Sequence, residues 1–307
     1  AVSTSSSEGS AVSLFEIDSL DPVGTVTVSS TEPGLVLGDD FLVHRDGAQE
    51  GTLELVPIGG VSAGAAEAAD VADTTAVGAW GHGEALVGDR VYVATDDGLQ
   101  WAQVEGGAFG ATGSAAWAAG DRAFGRAYFL RVVGADDPRL WTYVRDDSAA
   151  DWGAWDNDVY VHDPSTGRSE RRHLGQGLAF RLAASADRAV FARMHPDGYA
   201  AHVFDADPAS DTFLEELAEV PLETPTDAPG RDADPDAVWS SPGRPMAAVS
   251  ADGATAYVSR GGDGLVDVVD VDGSKVAGTI ETPTPLDKGG YLLVVGGDAP
   301  TVDTIGR

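Results

Sequence analysis

From residue 11 onward, short runs of Val, Tyr, Phe, Trp and Ala alternate with polar clusters of Asp, Gly and Pro. This is the spacing of strands joined by tight turns. Helical periodicity is scarce. The two stretches nearest to it, Ala63 to Val71 and Thr212 to Val220, are short and hold no sustained apolar face, so they are expected in loops or outer strands. The pattern predicts an all-β chain.

The pattern also repeats. Residues 182–193, Leu-Ala-Ala-Ser-Ala-Asp-Arg-Ala-Val-Phe-Ala-Arg, echo 246–260, Met-Ala-Ala-Val-Ser-Ala-Asp-Gly-Ala-Thr-Ala-Tyr-Val-Ser-Arg. Each reads as a strand, a Ser-Ala-Asp turn and a second strand. A second element follows, a strand ending in Asp, a turn and a returning strand; it occurs at Val159, Ala201 and Leu265, and again near the N-terminus at Val12. Joined, the two elements make a four-stranded antiparallel unit of about 40–45 residues, the blade of a β-propeller. Units fall near 34–79, 82–112, 114–174, 178–220 and 244–282. The N-terminal second element and the strand-like tail around Tyr291 make a sixth, composite blade that closes the ring and covers both edges. The long unit at 114–174 leaves room for a seventh blade. A two-sheet sandwich is the competing architecture. The domain reading is a flexible Ser-rich leader at 1–10 and one propeller domain over 11–307.

Charge narrows the partners. Of 307 residues, 50 are Asp or Glu and 19 are Lys or Arg, a formal charge of −31. Such a surface repels phosphate backbones, which argues against nucleic acid, and draws cations or a basic protein surface. The acid is 36 Asp against 14 Glu, a bias toward turns rather than helix surfaces. With 43% hydrophobic residues the chain buries a core. No run approaches the ~18 apolar residues of a membrane span. The absence of Cys removes disulfides, thiolate metal sites and a cysteine nucleophile. The Ser-rich start has neither a basic n-region nor an apolar h-region. It reads as what remains of an exported protein or lipoprotein after signal removal, so an extracytoplasmic home is expected.

Candidate chemistry rests on few residues. There are six histidines and no His-x-His or His-Glu-x-x-His pattern. His82 and Glu84 in Gly-His-Gly-Glu-Ala open a predicted innermost strand, and side chains at i and i+2 of a strand point the same way, as ligands of Zn²⁺ or Mn²⁺ must. The alternative is an exposed histidine at a glycine-rich turn. His44 and His162 read as strand ends entering turns. His195 lies at a hairpin tip and His202 in the strand after it, a pair that forms either a rim contact or a solvated turn. Trp152 and Trp155 sit among the aspartates of 145–158. Exposed, they would stack on a sugar or a partner, with Asp oxygens suited to Ca²⁺; otherwise the loop packs back through its two indoles. No nucleophile elbow, phosphate-cradling glycine motif or distinct carboxylate pair stands out.

Three stretches carry a resemblance. Ala254-Thr-Ala-Tyr-Val-Ser, Val266-Asp-Val-Val-Asp and Val276-Ala-Gly-Thr-Ile resemble the repeat of bacterial surface propellers of the YVTN type. His82-Gly-Glu-Ala, the run from Asp89 to Trp101, and Trp239-Ser-Ser-Pro-Gly-Arg-Pro-Met are similar to stretches of AztD-type zinc metallochaperones. That resemblance implies an exported propeller that hands Zn²⁺ to the solute-binding protein of a zinc importer, with His82 and Glu84 as the ligands that carry over. Three functions are therefore expected in order: an extracytoplasmic zinc-binding propeller, a metal-free surface or protein-interaction propeller contacting its partner through Trp152 and Trp155, and a carbohydrate-active hydrolase or lyase.

Overall fold

The computed structural model describes residues 2–6, 9–16, 19–28, 34–46, 51–59, 61, 67–68, 70–79, 83–117, 125–134, 136–286 and 292–294. Among them twenty-four strands form six four-stranded sheets. The first holds β1 (Val2–Ser6), β2 (Gly9–Phe15), β3 (Pro22–Val28) and β7 (Glu67–Ala68). The second holds β4 (Gly34–Leu37), β5 (Phe41–Asp46), β6 (Thr52–Pro57) and β8 (Asp73–Ala76). Next come β9 (Glu84–Val87), β10 (Arg90–Ala94), β11 (Gly98–Glu105) and β12 (Ala108–Ala116). The fourth sheet is β13 (Gly125–Val133), β14 (Arg139–Asp146), β15 (Asp156–Asp163) and β16 (Arg168–Gln176). The fifth is β17 (Leu178–Ala184), β18 (Arg188–Met194), β19 (Tyr199–Asp205) and β20 (Glu216–Leu222). The sixth is β21 (Ala247–Val249), β22 (Thr255–Ser259), β23 (Leu265–Asp270) and β24 (Lys275–Glu281). Five of the six run in sequence order as meanders, near the units that the repeats predict, except that β12 runs on to Ala116 and β13 starts at Gly125.

Burial falls across each meander. In the fifth sheet every residue of β19 is buried, whereas β20 alternates and faces solvent. The fourth strands β12, β16 and β24 are exposed along most of their length. A strand with neighbours on both faces must be apolar on both, and only the last strand can afford charge. Small residues let the sheets stack closely: Ala192, Ala201 and Ala256 pack with Val190, Val203 and Val258 between the fifth and sixth sheets. Contacts divide the chain into two compact units. One comprises 1–118, 126–130 and 304–307, and the other 119–125 and 131–303. In the first unit, Val36, Leu53, Leu55, Val91 and Val93 form the core between the second and third sheets.

The repeated Ser-Ala-Asp motif is one turn made twice. Ser185 Oγ donates to Asp187 Oδ1 at 3.0 Å, and Ser250 Oγ donates to Asp252 Oδ1 at 2.6 Å. In both copies the serine N–H closes the hairpin, on Arg188 O and on Thr255 O.

Two features differ from expectation. Among the described residues the first sheet takes its strands from the first 68 residues, its last pair being the parallel β3–β7. Residues 292–294 are not in a strand, and Tyr291 lies outside the described residues. The reason is local: alternation across β2 and β3 puts Val12, Leu14, Val26 and Val28 on one face against Leu42 and Val56. The Ser-rich segment 1–10 supplies β1 and the first residues of β2, paired from Val2↔Ser13 to Ser6↔Gly9. Second, the extra length of 114–174 holds no additional sheet among the described residues; part of it is a loop and a 3₁₀ turn at Trp152–Ala154. The helix α1 (Pro235–Ser240) was not foreseen; Asp234 caps it, accepting from the Asp236 N–H, with Pro235 in its first turn. Among the described residues no helix is long and apolar enough to cross a membrane.

Candidate metal centre

The residues singled out in the sequence are mostly structural. His82 lies outside the described residues. Glu84 heads β9 at 1% exposure, and its Oε1 accepts from Arg45 Nε at 2.7 Å. Burial raises its carboxyl above the ordinary value, against the opposing pull of Arg45 and the Gly83 amide. Next to Arg45, His44 Nε2 meets Glu54 Oε2 at 2.8 Å. That pair lies within the second sheet, whereas Arg45 and Glu84 form a buried ion pair between the second and third sheets.

The indoles of Trp152 and Trp155 are core, at 1% and 2% exposure, which corrects their reading as an exposed contact. Asp151 caps the 3₁₀ turn by accepting from the Gly153 N–H, and the turn drives both rings inward against Leu178, Phe180, Met194 and Tyr199. Trp152 Nε1 donates to Gly230 O and Trp155 Nε1 to Ala149 O, each at 2.9 Å. Large rings with satisfied N–H groups gain more from this burial than from exposure. His195 fastens the same loop. Its Nδ1 accepts from the Asp197 N–H at 3.1 Å, so the proton sits on Nε2, which donates to Gly153 O at 3.0 Å. Both ring nitrogens are engaged.

His202 is buried on β19. Its Nδ1 donates to Glu216 Oε1 at 2.7 Å, while Nε2 accepts from Arg193 Nε at 2.7 Å. Arg193 also reaches Glu219 at 3.0 Å. His202, Glu216 and Glu219 have ligand-like spacing, yet a permanently charged guanidinium stands among them and holds the nitrogen that a metal would need.

A second cluster carries no such cation on its imidazole among the described residues. Asp156 and Asp158 project from one face of β15, and His173 stands across from Asp158 on β16. His173 Nδ1 lies 3.4 Å from Asp156 Oδ1 and 3.5 Å from Asp158 Oδ1. One ligand atom from each of the three falls within 4.8 Å of the others. Ligands ~2.05 Å from a tetrahedral ion stand about 3.3 Å apart, close to the two imidazole–carboxylate distances here. Arg171 takes the far oxygen, Oδ2 of Asp158, at 3.1 Å and leaves Oδ1 turned toward His173. His173 is 62% exposed while Asp158 is 8% exposed, a floor ligand with an open rim.

A bulge sets this geometry. Asp158 pairs with His173 but Asn157 pairs with Gly175, so Leu174 is the extra residue on β16. Gly175 adopts φ +122°, outside what other residues tolerate. Asn157 holds the bulge from beneath, its Nδ2 donating to Gly175 O and Gly177 O at 3.0 Å each. The bulge lets the side chains of Asp156, Asp158 and His173 converge on one side of the ladder.

No protein-family model matches the chain, and no curated protein is similar to it at sequence level. Solved structures are similar throughout. Citrobacter koseri AztD aligns with 97% of this chain and 74% of its own, at 16% identity and a TM-score of 0.58. Kuenenia stuttgartiensis hydrazine synthase aligns over 90% and 82%, at 12% identity and 0.59. The WD40 domain of Toxoplasma gondii coronin aligns over 93% and 68%, at 9% identity and 0.55. The fold is a β-propeller. Identities this low carry the architecture alone. The six sheets are the blades of this propeller, and the Asp156, Asp158 and His173 cluster lies on the two outer strands of the fourth blade.

Of that cluster, sequence reading had noted the aspartates of 145–158 and counted His173 without joining them. The signal was available in the hairpin. Asp158 is five residues before Asp163 and His173 five after Arg168, the two ends of the turn.

Proposed function

We propose that this propeller is an extracytoplasmic binding protein for a divalent cation, zinc foremost, held by Asp156, Asp158 and His173. The observation that carries the reading is the 3.4–3.5 Å spacing of one imidazole nitrogen from two carboxylate oxygens. An imidazole with two carboxylates suits Zn²⁺ or Mn²⁺, and an exposed histidine over a buried aspartate allows both capture and release. The −31 charge concentrates cations near the surface. The resemblance to AztD-type zinc metallochaperones supports zinc and an extracytoplasmic setting, with a solute-binding protein as the receiving partner. The rival reading, a metal-free interaction propeller, loses the contact first assigned to it because Trp152 and Trp155 are core.

Isothermal titration of metal-stripped protein with Zn²⁺ tests this reading. One site of micromolar affinity or tighter is expected, lost in His173→Ala and Asp158→Asn and kept in His82→Ala. Loss in His82→Ala with retention in His173→Ala moves the site to the pair drawn from the sequence, His82 and Glu84. No binding by the parent protein rejects the metal reading altogether.

A further inference from the structure

The hairpin that carries the proposed metal ligands holds a second group of reactive side chains toward its turn. On β16, Ser169 pairs with His162 of β15. Its Oγ lies 2.9 Å from His162 Nδ1 and accepts from the Tyr160 hydroxyl at 2.6 Å. The partners are buried, Tyr160 at 2% exposure and His162 at 4%, whereas Ser169 is exposed. A short run of hydrogen bonds thus links a buried imidazole to a hydroxyl at the surface.

The direction of that run matters. Tyr160 gives its proton to Oγ, so the serine's single proton is left for another acceptor, and Nδ1 of His162 stands within reach. Burial holds the imidazole below its ordinary pKa, against the opposing pull of Asp163 beside it. At neutral pH the ring is therefore uncharged and one of its nitrogens can accept. The hydroxyls of the neighbouring turn are bound differently: Ser165 and Thr166 both donate to the Asp163 carboxylate and fasten the turn. Ser169 is the one hydroxyl residue of β16, and its partner is a base rather than a carboxylate. A hydroxyl within about 2.6–3.2 Å of a neutral imidazole is the pairing of a nucleophile with its base.

We propose that Ser169 is a nucleophile and His162 its general base, together an acyl-transfer site for small activated carboxylic esters. Oγ attacks the carbonyl carbon while its proton passes to Nδ1. The bond from that carbon to the alcohol oxygen breaks, and the alcohol leaves with the proton His162 took. Water then attacks the acyl-serine, giving a proton to His162 that returns to Oγ as the carboxylic acid departs. An outer strand encloses little of its substrate, so a short acyl group suits the site better than a long one. The chemistry is separate from the metal: His173 is four residues along β16 from Ser169, about 13 Å in an extended strand.

The test uses metal-stripped protein, which keeps a metal-bound hydroxide from hydrolysing the ester, and a fluorophosphonate probe. Oγ displaces fluoride from phosphorus, and the proton leaves with the fluoride. A single adduct is expected by intact mass, mapped to Ser169 by peptide mass spectrometry, lost in Ser169→Ala and kept in Ser148→Ala, a change at another exposed serine. His162→Gln should slow labelling about a hundredfold, the usual contribution of a general base. p-Nitrophenyl acetate should be hydrolysed by the parent protein and not by Ser169→Ala. Because the chain has no cysteine, a thiol placed at the same point reads the base directly, even if His162→Gln fails to fold. Iodoacetamide should alkylate Ser169→Cys at least about threefold faster than Ser148→Cys at pH 7, since His162 draws off the thiol proton. Absence of the Ser169 adduct or of ester hydrolysis, parental labelling of folded His162→Gln, or equal alkylation of the two cysteine variants overturns the proposal.

Discussion

Asp158 and His173 face each other across the β15–β16 ladder with Oδ1 and Nδ1 3.5 Å apart, one residue from the bulge at Leu174. The pairing depends on backbone as much as on ligands. Gly175→Ala leaves every ligand in place but forces a side chain onto a backbone at φ +122°. We expect a stability loss of about 1–3 kcal/mol by chemical denaturation, the usual range for such strain. We also expect weaker Zn²⁺ binding by calorimetry. Strain without any change in zinc affinity would show that the bulge does not aim His173.

Asp163 begins the turn of the same hairpin. Its Oδ1 accepts from the Ser165 N–H at 2.8 Å and from Ser165 Oγ at 2.7 Å, and its Oδ2 accepts from Thr166 Oγ1 at 2.8 Å. Partial burial pushes its pKa up, but these hydrogen bonds outweigh that and lower it to about 2. A depressed carboxylate stabilises the fold above its unfolded pKa and ceases to do so as pH falls through the folded value. Asp163→Ala should therefore cost about 1–2 kcal/mol at neutral pH. The gap from the parent should narrow as pH drops from about 4 toward 2. Denaturant midpoints at pH 7 and pH 3 measure it; a gap that stays constant rejects the assignment.

Trp152 and Trp155 give a prediction opposite to that for a contact loop. Each is fully enclosed and hydrogen-bonded through its Nε1. Replacement by Ala should destabilise the protein by about 3–5 kcal/mol, as for other buried aromatics. Full stability in either variant, by thermal or chemical denaturation, would return the loop to the surface.

What the sequence disclosed follows from which forces are local. Turns are local, so Ser-Ala-Asp at 185–187 and 250–252 is visible as a repeat and folds as one. The meanders those turns connect begin and end within a few residues of the predicted units, as Leu178–Leu222 and Ala247–Glu281 illustrate. Pairing between distant segments is not local. The β3–β7 pair joins Val26 to Glu67 in parallel, and nothing in either stretch announces the other. Chemistry at the histidines was hidden for the same reason. Whether His202 is a ligand or a structural residue depends on Arg193 reaching it from the neighbouring strand, and Arg193 looks like any other basic residue in the sequence. His173 was legible in principle, because a hairpin with a recognisable turn fixes its own register.

Arg45 and Glu84 test the difference between a paired charge and a useful one. Glu84 is buried with its carboxyl raised, first by desolvation, so in the interval above its ordinary value near 4.5 the unfolded chain ionises while the folded protein retains the proton. Folding stability should therefore fall as pH rises through that interval, the reverse of Asp163. Breaking the pair by Glu84→Leu takes the Glu84 carboxylate from the buried Arg45 and should cost about 3–5 kcal/mol at neutral pH. The double variant Arg45→Met with Glu84→Leu removes both desolvation costs, and is expected to match the parent or exceed it by about 1–4 kcal/mol. Equilibrium denaturation of the single and double variants closes the cycle. If the double variant is as unstable as Glu84→Leu, the pair contributes more than mutual compensation. A double variant that still binds Zn²⁺ with parental affinity assigns Glu84 wholly to the fold and leaves the metal to the outer strands of the fourth blade.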